Sequence, residues 1–286
     1  MNDIVIFGST GFIGSNIYNF LVEEEGYNVK GFSSTTCNLL EKSEIKKVFS
    51  LIKKNDFRLI ICSSITPSVD DSLESMFKNI QMIDHVVESV PIDRVKSIIY
   101  LSSAEIYGFV KYPCKIDENT PQRAVGYYGL SKLACERLLY NNIHEIPITV
   151  LRLPGIYGYG DDYKSVVGKL INDGLQKNEI QITNDGSCLR DYVEITDLCK
   201  IVNHFILNPF NGAVIVATGQ STTVREISEI VIKKLNNNAV ITAIKKNSSR
   251  PDYLFDNSLL RSIMPYFNFI DINTGLEKYI KTLLCN

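Results

Sequence analysis

The chain has no C-x-x-C pair, no marked excess of either charge and no apolar run long enough to span a bilayer. Each absence removes a class of function. Seven cysteines (Cys37, Cys62, Cys114, Cys135, Cys188, Cys199 and Cys285) are an odd number without paired spacing, so they read as reduced thiols of a cytoplasmic protein. His85, His144 and His204 fall in no ligand spacing, which argues against a metal. A net charge of −2 gives no electrostatic reason to expect nucleic acid or an anionic membrane as a partner. The N-terminal residues show no basic stretch followed by a long apolar run, so no signal peptide is expected.

What is present is a chain of 286 residues, 45% hydrophobic and 22% charged, enough to bury a sizeable core in one or two domains. Apolar runs alternate with amphipathic stretches through the first half. Short continuous runs at 4–7, 29–32, 59–62, 97–101 and 148–153 read as strands. Helical periodicity falls between them, through Ile13, Ile17 and Leu21, then over about 41–54, 71–89 and 127–143. Continuous apolar strands separated by helices indicate an α/β fold, a doubly wound parallel sheet covered on both faces. The second half is less regular, with helices expected over 163–176 and 223–235. It reads as a smaller C-terminal substrate-binding lobe. The division expected is 1–154 for a dinucleotide-binding domain and 155–286 for the lobe, interleaved with the sheet's last strands.

Two local patterns carry chemistry. Gly8-Ser9-Thr10-Gly11-Phe12-Ile13-Gly14 lies between the first strand and first helix. Glycines there allow a tight turn and close backbone approach to a pyrophosphate, and the helix N-terminus offers free N–H groups to it. Tyr128 and Lys132 stand four apart on an expected helix, which puts a phenol and an ammonium on one face. A lysine so placed is expected to pull the tyrosine pKa down from about 10 toward the working range of an acid-base catalyst.

Further motifs follow in a set order: Leu101-Ser-Ser103-Ala-Glu105-Ile-Tyr-Gly108, Leu151-Arg-Leu-Pro154-Gly-Ile-Tyr-Gly158, Arg190-Asp-Tyr-Val193 and Arg250-Pro-Asp252. With the G-x-x-G-x-x-G spacing, they make nearly the whole chain resemble the extended short-chain dehydrogenase/reductases, the nucleotide-sugar epimerases, dehydratases and reductases. The resemblance implies that Ser103, 25 positions before Tyr128, hydrogen-bonds the reacting sugar oxygen. It implies that Tyr128 exchanges that oxygen's proton, and that Lys132 tunes the tyrosine and holds the nicotinamide ribose. Glu105 stands where dehydratase branches often carry a second acid-base carboxylate, but Ala104 fills the neighbouring acid position. That half match argues against elimination and leaves Glu105 to assist proton transfer or bind a sugar hydroxyl.

The resemblance also assigns a cofactor surface of Gly8, Thr10, Gly11, Phe12, Ile13, Gly14, Ser33, Ser34, Asn38, Leu39, Ser63, Ser64, Asn79, Tyr128, Lys132 and Pro154. The second strand ends in Ser33 and Ser34 where NAD-preferring members carry a carboxylate. Small hydroxyl residues leave room for a 2′-phosphate, so NADP is slightly favoured over NAD. Arg190 and Arg250 resemble arginines that contact a substrate diphosphate, a role suited to the guanidinium fork. Gly155 departs from an asparagine common in the family. The expected function is hydride transfer at C4 of a nucleotide-diphosphate sugar, first as a 4-keto-6-deoxyhexose reductase and alternatively as a C4 epimerase. A non-catalytic dinucleotide-binding regulator is the reading from outside enzymology. The helices at 72–89 and from Tyr127 resemble those that pair in a homodimer.

Overall fold

Ile4, Val5, Ile6 and Phe7 are all at most 1% exposed, so the first strand is covered on both faces. The computed structural model describes residues 2–52, 56–109, 115–245 and 252–285; Arg250 and Cys114 lie outside the described residues. The elements open with β1 (Asn2–Phe7), α1 (Phe12–Glu23), β2 (Tyr27–Phe32), α2 (Lys42–Leu51), β3 (Phe57–Ile61), α3 (Leu73–Ser89) and β4 (Val95–Ser103). A 3-10 turn (Ala104–Tyr107), α4 (Tyr127–Asn142), β5 (Ile148–Leu153), β6 (Gly155–Tyr157), α5 (Val166–Gln176), β7 (Glu179–Thr183) and β8 (Leu189–Arg190) follow. The chain ends through β9 (Tyr192–Glu194), α6 (Ile195–Leu207), β10 (Gly212–Ile215), β11 (Thr222–Thr223), α7 (Val224–Leu235), β12 (Val240–Ile244), α8 (Ser258–Ile263) and α9 (Ile272–Cys285).

Two compact units form: residues 1–108, 121–152 and 199–214, and residues 109–120, 153–198 and 215–286. The first holds a six-stranded sheet in the order β10-β5-β4-β3-β1-β2. β1 pairs in parallel with β2 on one side and β3 on the other, and β3 pairs in parallel with β4. The doubly wound, Rossmann-like architecture expected from the apolar strands is therefore present. Chain direction across the sheet reverses between β1 and β3, and at that switch point a crevice opens beyond the strand ends. Phe7, Phe49 and Phe57 stack through the core beneath it, with ring centroids 5.6–5.8 Å apart.

The second unit has its own core, in which Val167, Ile171, Ile180, Ile227, Val231 and Leu276 are fully buried. Helix α5 begins at Val166, three residues later than its periodicity suggests. Asp162 and Tyr163 take left-handed backbone angles (φ 49° and 57°), and Ser165 caps the helix by accepting from Gly168 N. Buried Asp161 pins that loop through the Ser165 and Tyr279 hydroxyls and the Tyr163 amide. Among the described residues no helix is long and apolar enough to cross a membrane.

Glycine is required at two points of the β1–α1 turn. Gly8 has φ +84°, and a Cβ there would lie 2.7 Å from Ser63 N; at Gly14 it would overlap the Gly8 carbonyl. Gly14→Ala must therefore push α1 off β1, at a cost of roughly 1–3 kcal/mol. The expected result is a lower melting temperature together with loss of dinucleotide binding, measured by thermal unfolding and by titration with NAD(H) or NADP(H).

Candidate active site

The carboxyl ends of β1 and β3 place Gly8 against Ser63, and α1 starts there without a side-chain cap and without an acidic residue in its first turn. An uncapped helix start leaves amide donors and the positive end of the dipole free for an anion. The turn admits backbone only, so a pyrophosphate can approach as closely as Gly11, Phe12 and Ile13 allow. These features fit a dinucleotide. Beyond β2, Ser33, Thr35 and Thr36 gather three hydroxyls in one turn, with Ser33 Oγ 2.8 Å from Thr35 Oγ1 and Ser33 N donating to Thr36 Oγ1 at 2.9 Å. Ser34 and Thr10 are exposed.

Not every expected cofactor residue presents its side chain to that crevice. Leu39 is 4% exposed and packs in the core of the sheet. Asn38 closes a local turn, its Oδ1 accepting from Leu40 N at 3.1 Å. Asn79 uses its amide as a second backbone: Oδ1 accepts from Ile65 N at 2.7 Å and Nδ2 donates to Ile65 O at 2.9 Å. It thereby fixes the loop carrying Ser63 and Ser64, and Nδ2 also reaches Ser131 Oγ on α4 at 3.3 Å.

The residues expected to react come together where α4 crosses the end of β4. Gly129 makes this possible, since a Cβ there would sit 2.7 Å from the Glu105 carbonyl oxygen. Ser103 ends β4, is 9% exposed, and accepts from Glu105 N at 3.2 Å, so its hydroxyl proton stays available. Glu105 is exposed, and its carboxylate lies near enough to Tyr128 to oppose phenolate formation. Lys132 is 3% exposed; its ammonium donates to Leu101 O at 2.7 Å and lies 4.9 Å from the Tyr100 ring centroid and 5.6 Å from that of Tyr128. Cation–π attraction and one carbonyl thus replace part of its lost hydration.

The electrostatics differ from the sequence expectation. Tyr128 is pushed upward, by burial first, against a lowering hydrogen bond from the Ser64 hydroxyl. Lys132 is itself desolvated, and burial pulls its pKa down to about 8. Burial thus biases Tyr128 toward its protonated form, and the Ser64 hydroxyl acts in the opposite direction.

Three further residues carry this geometry and were not singled out in the sequence. Asp71, 57 positions upstream, accepts from Tyr128 N at 3.3 Å and serves the α4 N-terminus that Gly126 leaves uncapped. Glu136 and Arg152 form a buried pair at 2.9 Å, with side chains 1% and 5% exposed. A lone arginine in the apolar strand Ile148–Leu153 was the available signal, because a buried charge demands a partner.

In the second unit, Arg190 lies with its guanidinium carbon 4.9 Å from the Tyr253 ring centroid and donates to Leu189 O at 2.7 Å. Asp252 accepts from Leu189 N at 2.8 Å, so the segment that follows Arg250 runs beside Arg190. Asp191 turns away to accept from Thr218 N, Thr218 Oγ1 and Gly219 N. Gly155 is explained by packing: any Cβ would lie 2.6 Å from the Tyr192 ring, which excludes asparagine. Pro154 is half-buried at the entry to this unit.

The lysine makes a testable demand on stability. Its folded pKa lies below the ordinary value of 10.5, so below about pH 8 the fold carries a desolvated charge, costing on the order of 3 kcal/mol. The cost is full below the folded pKa and fades as pH rises to the unfolded value. Lys132→Met is expected to raise the melting temperature at pH 7 by a few degrees, with the gain shrinking as pH rises above about 8.

Comparison with known proteins agrees with this geometry. Residues 4–217 match the model of the NAD dependent epimerase/dehydratase family. A Methanocaldococcus jannaschii protein carrying the provisional name UDP-glucose 4-epimerase is 30% identical, over 80% of this chain and 81% of its own length. The dTDP-4-dehydro-6-deoxyglucose reductase of Escherichia coli is 24% identical over 99% and 98% of the two chains. The Thermus thermophilus UDP-glucose 4-epimerase, solved with NAD, superposes with a TM-score of 0.83 at 18% identity, covering 98% of each chain. The chain belongs to the NAD dependent epimerase/dehydratase family, whose members are NAD(P)-dependent nucleotide-sugar epimerases, dehydratases and reductases.

Proposed function

We propose that the protein is a nucleotide-sugar 4-ketoreductase, reducing a 4-keto-6-deoxyhexose carried on a nucleoside diphosphate. The observation that carries this reading is the half-buried Tyr128, its ring centroid 5.6 Å from the Lys132 ammonium near the end of β4 where Ser103 lies, with burial pushing its phenol pKa up. Reduction of a ketone needs an acid at the carbonyl oxygen, and a phenol kept protonated supplies one. The dinucleotide, when bound, supplies the hydride. Ser103 donates a hydrogen bond to the carbonyl oxygen and orients it. Tyr128 delivers its proton to that oxygen as negative charge develops, and the charged Lys132 stabilises the phenolate left behind. Glu105, exposed beside this cluster, takes a sugar hydroxyl or assists the proton's return.

Arg190 takes the substrate's diphosphate, oriented by stacking on Tyr253; Arg250, by its resemblance, is its partner. The hydroxyl turn of Ser33 and Thr35 supports NADP over NAD, since no carboxylate ends β2 to hold a ribose 2′-hydroxyl. A homodimer through α3 and α4 is part of the proposal, because Leu73, Phe77 and Leu130 expose apolar surface there. The reduced cysteines fit a cytoplasmic enzyme. A second reading, C4 epimerisation, is favoured by the 30% identical relative named for that reaction. Both readings use the same residues and differ in whether reduced cofactor is consumed.

Tyr128→Phe is expected to lower turnover about 100-fold or more while the dinucleotide dissociation constant stays within about threefold. One reduced nicotinamide should disappear per product formed; product formed with none consumed would favour the epimerase. Arg190→Ala should raise KM roughly tenfold or more with kcat little changed, since it removes charge-assisted hydrogen bonds to phosphate. Unchanged KM would move the diphosphate site elsewhere.

A further inference from the structure

Beneath the reacting cluster lies a closed polar network that the proposed chemistry does not use. Glu136, four residues after Lys132 on α4, is 1% exposed and accepts from Ser102 Oγ at 2.5 Å. Arg152 on β5, 4% exposed, grips the same carboxylate with Nε at 3.3 Å and Nη2 at 2.9 Å. Its Nη1 donates to the Tyr107 hydroxyl at 2.8 Å, and Tyr107 is fully buried. Four elements meet in these side chains: the end of β4, the 3-10 turn after it, α4 and β5. Ser102 is next to Ser103, Tyr107 is two residues beyond Glu105, and Glu136 lies one turn from Lys132 on the same helical face.

Removing either charge would leave the other buried and unmatched, a strongly unfavourable arrangement. A pair of apolar residues could fill the same space without that hazard. The ionic arrangement therefore calls for a role beyond packing, and its neighbour supplies one. Lys132 is desolvated, and burial pulls its pKa down to about 8. The charged or titratable groups facing it are Cys135, Glu136 and Tyr128 from its own helix, Cys62 from the end of β3 and Tyr100 from β4. Cys135, Cys62 and Glu136, in that order, act against burial to keep the ammonium protonated, and of these Glu136 is the carboxylate.

We propose that Glu136, clamped by Arg152 and Ser102, is a positioning residue for the reacting pair: it locks α4 onto the ends of β4 and β5 and keeps Lys132 charged beside Tyr128. This rests on the reading of Tyr128 and Lys132 as the reacting pair. Arg152 serves as the carboxylate's fixed counter-ion, holding it in one rotamer by a two-pronged grip that lysine could not reproduce.

The test follows the Lys132 side chain directly, in the full chain without added nucleotide. Lysine labelled with 13C at Cε is titrated by NMR, and Lys132→Met identifies the resonance. Wild type should titrate near pH 8. Glu136→Gln should lower that midpoint, so that more of the lysine is neutral at pH 7 than in wild type. Glu136→Asp, which keeps the charge but withdraws it by a methylene, should shift it the same way by less. If Glu136→Gln fails to fold, the neutral pair Glu136→Gln/Arg152→Met leaves no orphaned cation and should lower the midpoint by less, since the Arg152 charge goes with it. A Lys132 midpoint unchanged in folded variants overturns the inference. Dinucleotide titration of wild type separates the two readings: failure to bind sinks the proposed function while leaving the midpoint shift as observed, and binding without a shift sinks the positioning role alone.

Discussion

A charged amine held out of water is the constraint on which this molecule turns. Lys132 has exchanged bulk hydration for one backbone carbonyl, the face of Tyr100 and the distant pull of Glu136. Such an arrangement opposes stability, because burial penalises the charged form. The same surroundings place the ammonium 5.6 Å from the Tyr128 ring centroid, which is where the proposed chemistry uses it. Several nearby features of the first unit act to hold that geometry. Gly129 lets α4 press onto the Glu105 carbonyl, Asp71 completes the helix start, and Asn79 ties the Ser63–Ser64 loop to Ser131.

The dinucleotide crevice follows from topology. Once β1 is covered on both faces and flanked by β2 and β3, its carboxyl end opens at the point where chain direction across the sheet reverses. Gly8 and Gly14 then let α1 begin close enough for its free amides to meet an anion. The second unit contributes a different kind of surface. There an arginine stacks on tyrosine beside a carboxylate already committed to backbone donors, which is a geometry suited to a phosphate-bearing ligand.

Much of this was legible in the sequence because it depends on short-range pattern. The apolar runs that became β1 and β3, the glycines of the first turn and the Tyr128–Lys132 spacing are all local signals, and the family's motif order fixed their roles as expectations. What was not legible depends on enclosure. Whether Tyr128 titrates up or down is decided by how much solvent its phenol keeps, a property of the folded surroundings and not of the spacing to Lys132. Asp71 acts across 57 positions, and Glu136 meets Arg152 across a helix and a strand. Leu39 shows another limit: the motif names the residue, but that its side chain packs in the core is visible only in the fold. Gly155 is a departure from the family that becomes understandable only with the Tyr192 ring in place.

Hydride delivery to the sugar carbon is the central claim, and isotope transfer tests it most directly. The protein is incubated with reduced nicotinamide dinucleotide carrying deuterium at both hydrogens of nicotinamide C4 and with a nucleoside-diphosphate 4-keto-6-deoxyhexose. The sugar nucleotide is then examined by mass spectrometry and NMR. The account requires one deuterium per product molecule, bonded to sugar carbon 4, with oxidised cofactor formed in equal amount. Product without deuterium, or a keto-sugar left unreduced while the dinucleotide binds, would contradict it.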